Sequence, residues 1–331
     1  MTTDDRLSEL LRDAVADVEP TDRLIAIRAR TSSHQRAAAR PWFYAAAATA
    51  LATAATVTAF AVLGGDDARE PAPAHHSHAV DPTPTPSAHS VPAYFVGETP
   101  RGLRLFREFD ARTGTAGIDA GLDAAIAELQ EAPDDPDYRT LWPAGSLTSV
   151  TQRGDVYAVE IGDASLHDRP AGMSAEEAGL AIEQVVYTVQ AAAHGRVPVQ
   201  FLLDGNPINE VYGVPTSEPL ANAPQLDVLS LVQINDPVEG LVVSGSFTAR
   251  GAASSFEATV PWRLLDGDGT VVGTGFANAE GWMDRLYPWE TTVDVSGLEP
   301  GTYTFEAMTD DPSGGAEGAD PFVDTRTITV R

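Results

Sequence analysis

The chain has 331 residues, a formal net charge of −27 and no cysteine. This length predicts about two domains. All 21 basic residues are arginine, which excludes a lysine-containing phosphate loop, a Schiff-base lysine and a Ser-Lys dyad. The excess of acidic residues argues against nucleic acid as a partner, because contacts to phosphates need a basic surface. Without cysteine there are no disulfides, no thiolate metal site and no lipid attachment through cysteine.

Residues 1–40 predict a cytoplasmic helical tail. Apolar residues recur at helical spacing in its first half: Leu7, Leu10, Leu11, Val15 and Val18. The break at Glu19-Pro20 predicts a second short helix after it. Two interpretations stay open. The tail is either a docking site for a cytoplasmic regulator, as in membrane-tethered anti-sigma factors, or a segment that only sets the membrane topology.

Residues 41–65 predict a transmembrane helix. The stretch has no charged residue, and about 25 residues at a rise of about 1.5 Å exceed the roughly 30 Å hydrocarbon core of a bilayer. Arginines precede it and acidic residues follow it, so the N-terminus should be cytoplasmic and the remainder extracytoplasmic. The alternatives are a buried alanine-rich helix and a cleaved signal peptide.

Residues 66–92 predict an extended stalk, because proline alternates with alanine, threonine and serine and cannot build a core. Four histidines fall in this stretch: His75, His76, His78 and His89. They could share a metal ion. We expect solvated histidines instead, because the stretch has no ordered second shell to orient them.

Residues 93–222 predict a small α+β module with the order β-β-α-β-β-α-β and with its helices on one side of a single mixed sheet. Ser174 and Glu177 form a capping-box pattern at the start of the second helix. The buried face of that helix is predicted to hold Ala178, Ile182, Val185 and Val189.

This module resembles a GerMN domain. The resemblance lies in the strand LRLFREF, the segment LQEAPDDPDYRTLWPAGS, the helix LAIEQVVYTV and the run VPVQFLLDGNPINEVYGV. GerMN modules are named from sporulation and germination proteins and also occur in actinobacterial envelope lipoproteins. The resemblance implies an extracytoplasmic, non-enzymatic fold related to ring-building motifs. Because this chain has no cysteine for a lipid, the helix at 41–65 would replace the lipid anchor.

Residues 226–331 predict an all-β sandwich of immunoglobulin type, with seven short strands separated by turn signals. One of these strands is predicted over residues 241–250. Val260, Trp262 and Leu264 alternate in phase and should face the core. The stretch resembles the immunoglobulin-like domain of bacterial spore germination, through INDPVEGLVVSGSFTARG, FEATVPWRLLDGDGTVV, LEPGTYTFEAMTDDPSGGAEG and DTRTITV. The resemblance implies binding of a ligand or protein in the envelope.

Acidic clusters are the first candidate sites. Asp134, Asp135 and Asp137 lie beside Tyr138 and could bind a cation or act in acid–base chemistry, but in a proline-bounded loop they more simply form turns. The last long loop offers calcium candidates in Asp310, Asp311 and Asp320, with Glu317 and Asp324 nearby. Its spacing does not match an EF-hand, and solvated carboxylates are the alternative.

Aromatic residues are the second candidate sites. Trp282, Tyr287 and Trp289 could face a glycan ligand, or they could fill the edge of the sandwich. Trp142 is predicted to anchor packing rather than to stack on a sugar.

Reaction motifs such as G-x-S-x-G and H-E-x-x-H are missing from the sequence. We therefore expect a single-pass envelope protein that is not an enzyme and has no cofactor or small-molecule substrate. Its outer domains would bind peptidoglycan, another wall polymer or an envelope protein. The alternative is a transmembrane sensor that signals through residues 1–40.

Overall fold

The structure is a computed structural model that describes residues 87–114, 118–311 and 320–331. The predicted tail, membrane helix and most of the stalk lie outside these residues. Within the described ranges, no helix is both long and apolar enough to cross a membrane. His78–Arg331 form one compact unit, which contains two domains.

The first domain carries the predicted order of main elements, with short additional strands. In chain order these are β1 (Ser87–Thr99), β2 (Gly102–Gly114), α1 (Ile118–Leu129), β3 (Tyr138–Arg139), β4 (Leu147–Arg153), β5 (Val156–Ile161), α2 (Ala175–Ala192), β6 (Val199–Leu203), β7 (Asn206–Pro207), β8 (Glu210–Val211) and β9 (Val214–Pro215). A short helix, α3 (Gln225–Val228), leads into the second domain.

The prediction of one sheet with helices on one side is wrong. The strands of the first domain form a three-stranded sheet in the order β2-β1-β3 and a separate four-stranded mixed sheet in the order β4-β5-β6-β7. Helix α2 contributes to the core of each sheet. Ile182 and Val185 share a cluster with Phe201 of β6, whereas Tyr187 packs with Tyr94 of β1. The physical reason is that α2 has large apolar residues, Leu180 and Tyr187, outside its main apolar face, so it packs against a sheet on each side.

The start of α2 confirms the predicted capping box. Ser174 Oγ accepts the N–H of Glu177 at 3.0 Å, and Glu177 Oε2 accepts the N–H of Ser174 at 2.9 Å. The four residues predicted for its inner face are buried. The second buried face was not predicted, because its polar members look solvent-facing in sequence. Thr188 is one of them, and its Oγ1 accepts the N–H of Tyr94 at 3.0 Å.

The second domain is a sandwich of two sheets, which confirms the predicted architecture. Its strands are β10 (Val232–Asp236), β11 (Leu241–Val243), β12 (Ser246–Ala253), β13 (Thr259–Leu265), β14 (Val271–Asn278), β15 (Tyr287–Asp294), β16 (Gly301–Met308) and β17 (Val323–Val330). One sheet has the order β10-β12-β15 and the other the order β11-β17-β16-β13-β14.

The strand predicted over residues 241–250 is two strands in different sheets. Strand β11 pairs in parallel with β17, and β12 pairs with β10 and β15. Gly245 lies at the break with a φ of 79°, a backbone conformation that glycine adopts without a steric penalty. Val260 and Leu264 are fully buried as predicted, and Trp262 packs against the same core while staying partly exposed.

The two domains meet along β2. The carbonyl of Leu105 accepts the N–H of Ser230 at 2.9 Å and the side-chain amide of Gln233 at 3.3 Å. Leu105 and Leu229 also share a buried cluster. The start of the second domain is therefore attached to β2, an edge strand of the first domain, through both backbone and apolar contacts.

Candidate functional site

The sequence placed acidic candidates in two separate loops, and the structure brings members of both sets together across the domain boundary. Asp135 comes from the loop after α1, Tyr138 from the short strand β3, and Asp324 from β17. The group that joins them is Arg326. Its Nη1 donates to Asp135 Oδ2 at 2.6 Å, to Tyr138 Oη at 2.9 Å and to Asp324 Oδ1 at 3.0 Å.

Backbone groups of β10 complete this arrangement. Arg326 Nη2 donates to the carbonyl of Ile234 at 2.9 Å, and Asp324 Oδ2 accepts the N–H of Ile234 at 2.6 Å. The hydroxyl of Tyr138 donates to Asp324 Oδ1. Glu108 of β2 lies alongside and holds the loop, since its carboxylate accepts the N–H of Asp135 at 2.9 Å. We call these five side chains, Glu108, Asp135, Tyr138, Asp324 and Arg326, the interdomain cluster.

Four of the five side chains in the interdomain cluster are buried, and Glu108 is partly exposed. Asp135 and Asp324 are each 2% exposed, and Arg326 is 3% exposed. Burying an isolated charge costs several kcal/mol, on the order of the whole stability of a domain, so buried ions must be paired and hydrogen-bonded. Here each charged group has such partners, and the partners come from both domains. The cluster therefore ties the positions of the two domains to each other.

Burial shifts the pKa values of the acidic groups upwards. Burial raises the pKa of Glu108 to about 7, against the opposing effect of the Asp135 N–H and the Arg326 guanidinium. Burial likewise raises the pKa of Asp135 to about 6, with Arg326 opposing. The pKa of Asp324 is also raised by burial, opposed by Arg326 and by its hydrogen bonds. The pKa of Tyr138 lies well above its usual value because the ring is buried beside Asp324.

The geometry favours a structural role for these groups over the alternative cation or acid–base role. The guanidinium already lies between the carboxylates, where a metal ion would have to bind. Asp324 accepts hydrogen bonds from Tyr138, Arg326 and the N–H of Ile234 and of Thr325, so both of its oxygens are engaged. In the part of the chain that the structure describes, no group of three or more histidine or acidic residues is arranged to hold a metal ion.

The loop that holds the calcium candidates lies partly outside the described residues, so the calcium alternative stays a prediction. Asp324 is engaged in the interdomain cluster, Asp320 is exposed, and Glu317 lies outside the described residues. The backbone N–H of Asp310 donates to Ser255 Oγ at 2.7 Å, which holds this residue in place. The histidines His75, His76 and His78 also lie outside the described residues, and of His89 only the backbone, in β1, is described.

The three aromatic candidates occupy different environments. Trp289 is 3% exposed and belongs to the sandwich core, where a Cβ on Gly251 would approach its ring to 2.9 Å. It therefore cannot face a ligand. Tyr287 is half-buried, and its hydroxyl donates to Asp284 at 2.7 Å. Trp282 is 37% exposed and packs edge-on against Phe256, with ring centroids 5.2 Å apart.

Trp142 is a packing anchor, as predicted. It is 1% exposed, and its Nε1 donates to the carbonyl of Ala181 in α2 at 2.8 Å. Phe201 stacks on it with centroids 6.2 Å apart. The ring thus links the loop before β4 to the helix and the four-stranded sheet.

Fold and cluster together define a two-domain protein in which an α+β module is joined to an immunoglobulin-like sandwich. Residues 92–209 match a family model described as "Sporulation and spore germination", and residues 231–316 match one described as "Immunoglobulin-like domain of bacterial spore germination". The chain thus contains a GerMN-type domain followed by an immunoglobulin-like domain of the spore germination type. The matches cover most of the two regions in which the sequence alone showed the resemblances, but not the closing segment DTRTITV.

Two solved structures are similar to parts of the chain. One is the tandem GerMN domains of the sporulation protein GerM from Bacillus subtilis, with a TM-score of 0.32 and 13% identity over 63% of this chain and 62% of that chain. The chain thus spans less than two thirds of that structure. The other is a putative lipoprotein from Clostridium perfringens, with a TM-score of 0.28 and 15% identity over 40% of this chain and 87% of that one. Comparison with curated proteins gave no match.

Proposed function

We propose that the chain is a membrane-anchored cell-envelope protein whose two described domains act together as a binding unit for a wall polymer or an envelope partner protein. In this proposal residues 41–65 are the anchor, and the domains lie outside the cytoplasmic membrane. The chain is not an enzyme in this view. The observation that carries the proposal is the pairing of two sporulation- and germination-type domains in one compact unit.

The interdomain cluster supports the idea of a single binding unit. A shared buried ion network holds the two domains in one relative position, so a ligand would meet a preorganised surface rather than two tethered modules. Preorganisation of this kind lowers the entropy lost on binding.

An exposed aromatic patch supports a binding role for the sandwich. Phe256 and Trp282 pack against each other, and Met283 beside them is 67% exposed. Large apolar side chains that are grouped at a surface often mark interaction sites. Trp282 is therefore the one of the three predicted aromatics that we retain as a ligand-facing candidate.

Cosedimentation of the 78–331 fragment with purified peptidoglycan sacculi tests direct wall binding. We expect the fragment to pellet with sacculi and Trp282→Ala to pellet less. Val242→Ala is the matched control, because Val242 is a similarly exposed apolar residue on β11, at the opposite edge of its sheet from β14. A fragment that stays in the supernatant at low salt would refute binding to this polymer. Recovery of a protein partner would then favour an envelope protein as the ligand.

The sensor alternative depends on residues 1–40, which lie outside the described residues. It stays a prediction. Deleting residues 1–40 while keeping 41–331 separates it from the binding proposal: an envelope phenotype that survives the deletion would refute the sensor.

A further inference from the structure

A cavity of about 250 Å³ opens between the three-stranded sheet and the C-terminal end of α2. Its lining includes Tyr94, Arg107, Tyr187, Gln190, His194 and Arg196. Taking about 30 Å³ per water molecule, the cavity corresponds to about eight waters. This size suits one small polar unit rather than a long apolar ligand.

The lining of this cavity is basic in a strongly acidic chain. It contains two arginines and one histidine but no aspartate or glutamate, whereas the whole chain has a net charge of −27. The nearby Glu183 does not line the cavity, and its carboxylate accepts the N–H of Ala223 at 3.0 Å. A concave surface with one sign of charge focuses the field and attracts ions of the opposite sign.

The two arginines are positioned by neutral groups. Arg107 lies over the ring of Tyr94 at 6.0 Å, and its Nη2 donates to Asn235 Oδ1 at 3.2 Å. Arg196 lies over the ring of Tyr187 at 5.7 Å, and its Nη1 is 3.5 Å from Gln190 Oε1.

Amide oxygens and aromatic rings orient a guanidinium without neutralising it. Both charges therefore stay available to a ligand.

The inner wall of the cavity consists of two aromatic rings and a side-chain amide. The rings of Tyr94 and Tyr187 pack with centroids 5.3 Å apart, and Gln190 is buried with its Nε2 donating to the carbonyl of Val197 at 3.1 Å. The two rings are only 5% and 2% exposed, and each has an arginine over its face, so they support the guanidinium groups rather than contact a ligand. Arginine forks bind the paired oxygens of carboxylates and phosphates.

We propose that this cavity, the arginine pocket (Arg107, Arg196 and the lining around them), binds an acidic sugar unit of a wall polymer, one that bears a carboxylate or a phosphate. The proposal rests on the proposed function and supplies the ligand class that it leaves open. Arg107 and Arg196 bind the oxyanion, and the buried rings of Tyr94 and Tyr187 support the two guanidinium groups.

Titration of the 78–331 fragment with single sugars, followed by NMR, tests the ligand class. The probes are glucuronate, glucose 6-phosphate and neutral N-acetylglucosamine. We expect at least one acidic probe to bind with a dissociation constant on the order of 1 mM and the neutral probe at least about tenfold more weakly. The two acidic probes distinguish a carboxylate source from a phosphate source. Binding of neither, or equal binding of the neutral sugar, would overturn the proposal.

Two variants locate the site. Arg196→Gln should weaken binding of the acidic probe about tenfold, because it removes a charge-assisted contact. Arg153→Gln, at the exposed end of β4, removes the same charge elsewhere and should leave binding unchanged. If Arg107→Gln disturbs folding through its bond to Asn235, the Arg196 variant still decides. Wild-type binding in Arg196→Gln would show that the pocket is not the site.

Sacculus cosedimentation separates this inference from the proposed function. If wild type pellets and Arg196→Gln pellets equally, with no acidic sugar bound, the pocket assignment is wrong and the wall-binding proposal stands. If acidic sugar binds through Arg196 but wild type does not pellet, wall binding fails and the pocket assignment stands.

Discussion

The chain uses arginine in opposite ways on the two faces of β2. Glu108 points to the interdomain cluster, in which Arg326 is buried among carboxylates. The preceding residue, Arg107, points to the arginine pocket, where it contacts the side-chain amide of Asn235 and two aromatic rings. Adjacent residues in a strand face opposite sides. The same strand therefore contributes to a saturated ion network on one side and to an open basic cavity on the other.

The difference lies in what surrounds each guanidinium. Around Arg326 the donors and acceptors satisfy one another, so removal of the cation leaves buried carboxylates without a partner. Around Arg196 the side chain is exposed and the neighbours are neutral, so its removal costs little stability but changes the charge offered to a ligand. Mutations at the two places should therefore separate stability from binding.

The largest effect is expected for Arg326→Met. This change leaves Asp135 and Asp324 buried without their cation and should lower the free energy of unfolding by about 3–5 kcal/mol. Urea denaturation of the 78–331 fragment measures it. Arg250→Met is the matched control, since Arg250 pairs with Asp236 at the surface and an exposed pair contributes about 0–1 kcal/mol. Equal losses in the two variants would contradict the account.

Tyr138→Phe should have the next largest effect. It removes a hydroxyl that donates to Asp324 and accepts from Arg326, and loss of hydrogen bonds to buried charged groups costs about 1–3 kcal/mol. Tyr303→Phe removes a bond to the neutral carbonyl of Glu299 and should cost about 1 kcal/mol. A Tyr138 variant as stable as wild type in urea would mean that the hydroxyl does not stabilise the cluster.

The cluster should make stability depend on pH in an unusual direction. The pKa of Glu108 is raised to about 7 in the folded chain, so the folded state holds its proton more tightly than the unfolded state does. This stabilisation is present at low pH and is lost as the pH rises through about 7. Asp135, with its pKa raised to about 6, acts in the same direction.

Urea midpoints at pH 5.5 and 8 test this dependence in the 78–331 fragment. In Glu108→Gln the fall in stability between the two pH values should be smaller than in wild type. Glu290→Gln, at an exposed position of β15, should retain the wild-type slope. A stability that rises from pH 5.5 to 8 in wild type but not in Glu108→Gln would reverse the predicted sign.

The pocket arginines should have the smallest effects on stability. Arg107→Gln loses its bond to Asn235 and should cost about 1 kcal/mol. Arg196→Gln should stay within about 0.5 kcal/mol of wild type, as surface changes usually do. Thermal melts of both variants provide the comparison. A large loss of stability in Arg196→Gln would place that arginine in a structural role like that of Arg326.

Local features of the fold could be predicted from the sequence because they depend on neighbouring residues. The capping box at Ser174, the alternation of Val260 and Leu264 and the succession of short strands are of this kind. The splitting of residues 241–250 between two sheets was not predicted, because Gly245 is only one of many turn signals and the pairing of β11 with β17 joins distant parts of the chain.

The sequence contains a signal for the interdomain cluster that the prediction did not use. Asp324 and Arg326 are in phase with Ile328 and Val330 along β17, and all four are buried. Charged residues at inward-facing positions of a strand indicate a buried ion pair. Their partners in the loop at Asp135 could not be predicted, because no local pattern connects residues nearly 200 positions apart. The sequence contains no such signal for the arginine pocket, since Arg107 of β2 and Arg196, after α2, line one cavity only because α2 packs on the three-stranded sheet.

Scanning calorimetry of the 78–331 fragment tests most directly the claim that the interdomain cluster holds the two domains as one unit. We predict one cooperative unfolding transition for the wild type and for Arg196→Gln. In Arg326→Met we expect the transition to shift to lower temperature and to split as the domains lose their shared network. Two separate transitions in the wild type, unchanged by Arg326→Met, would contradict the claim.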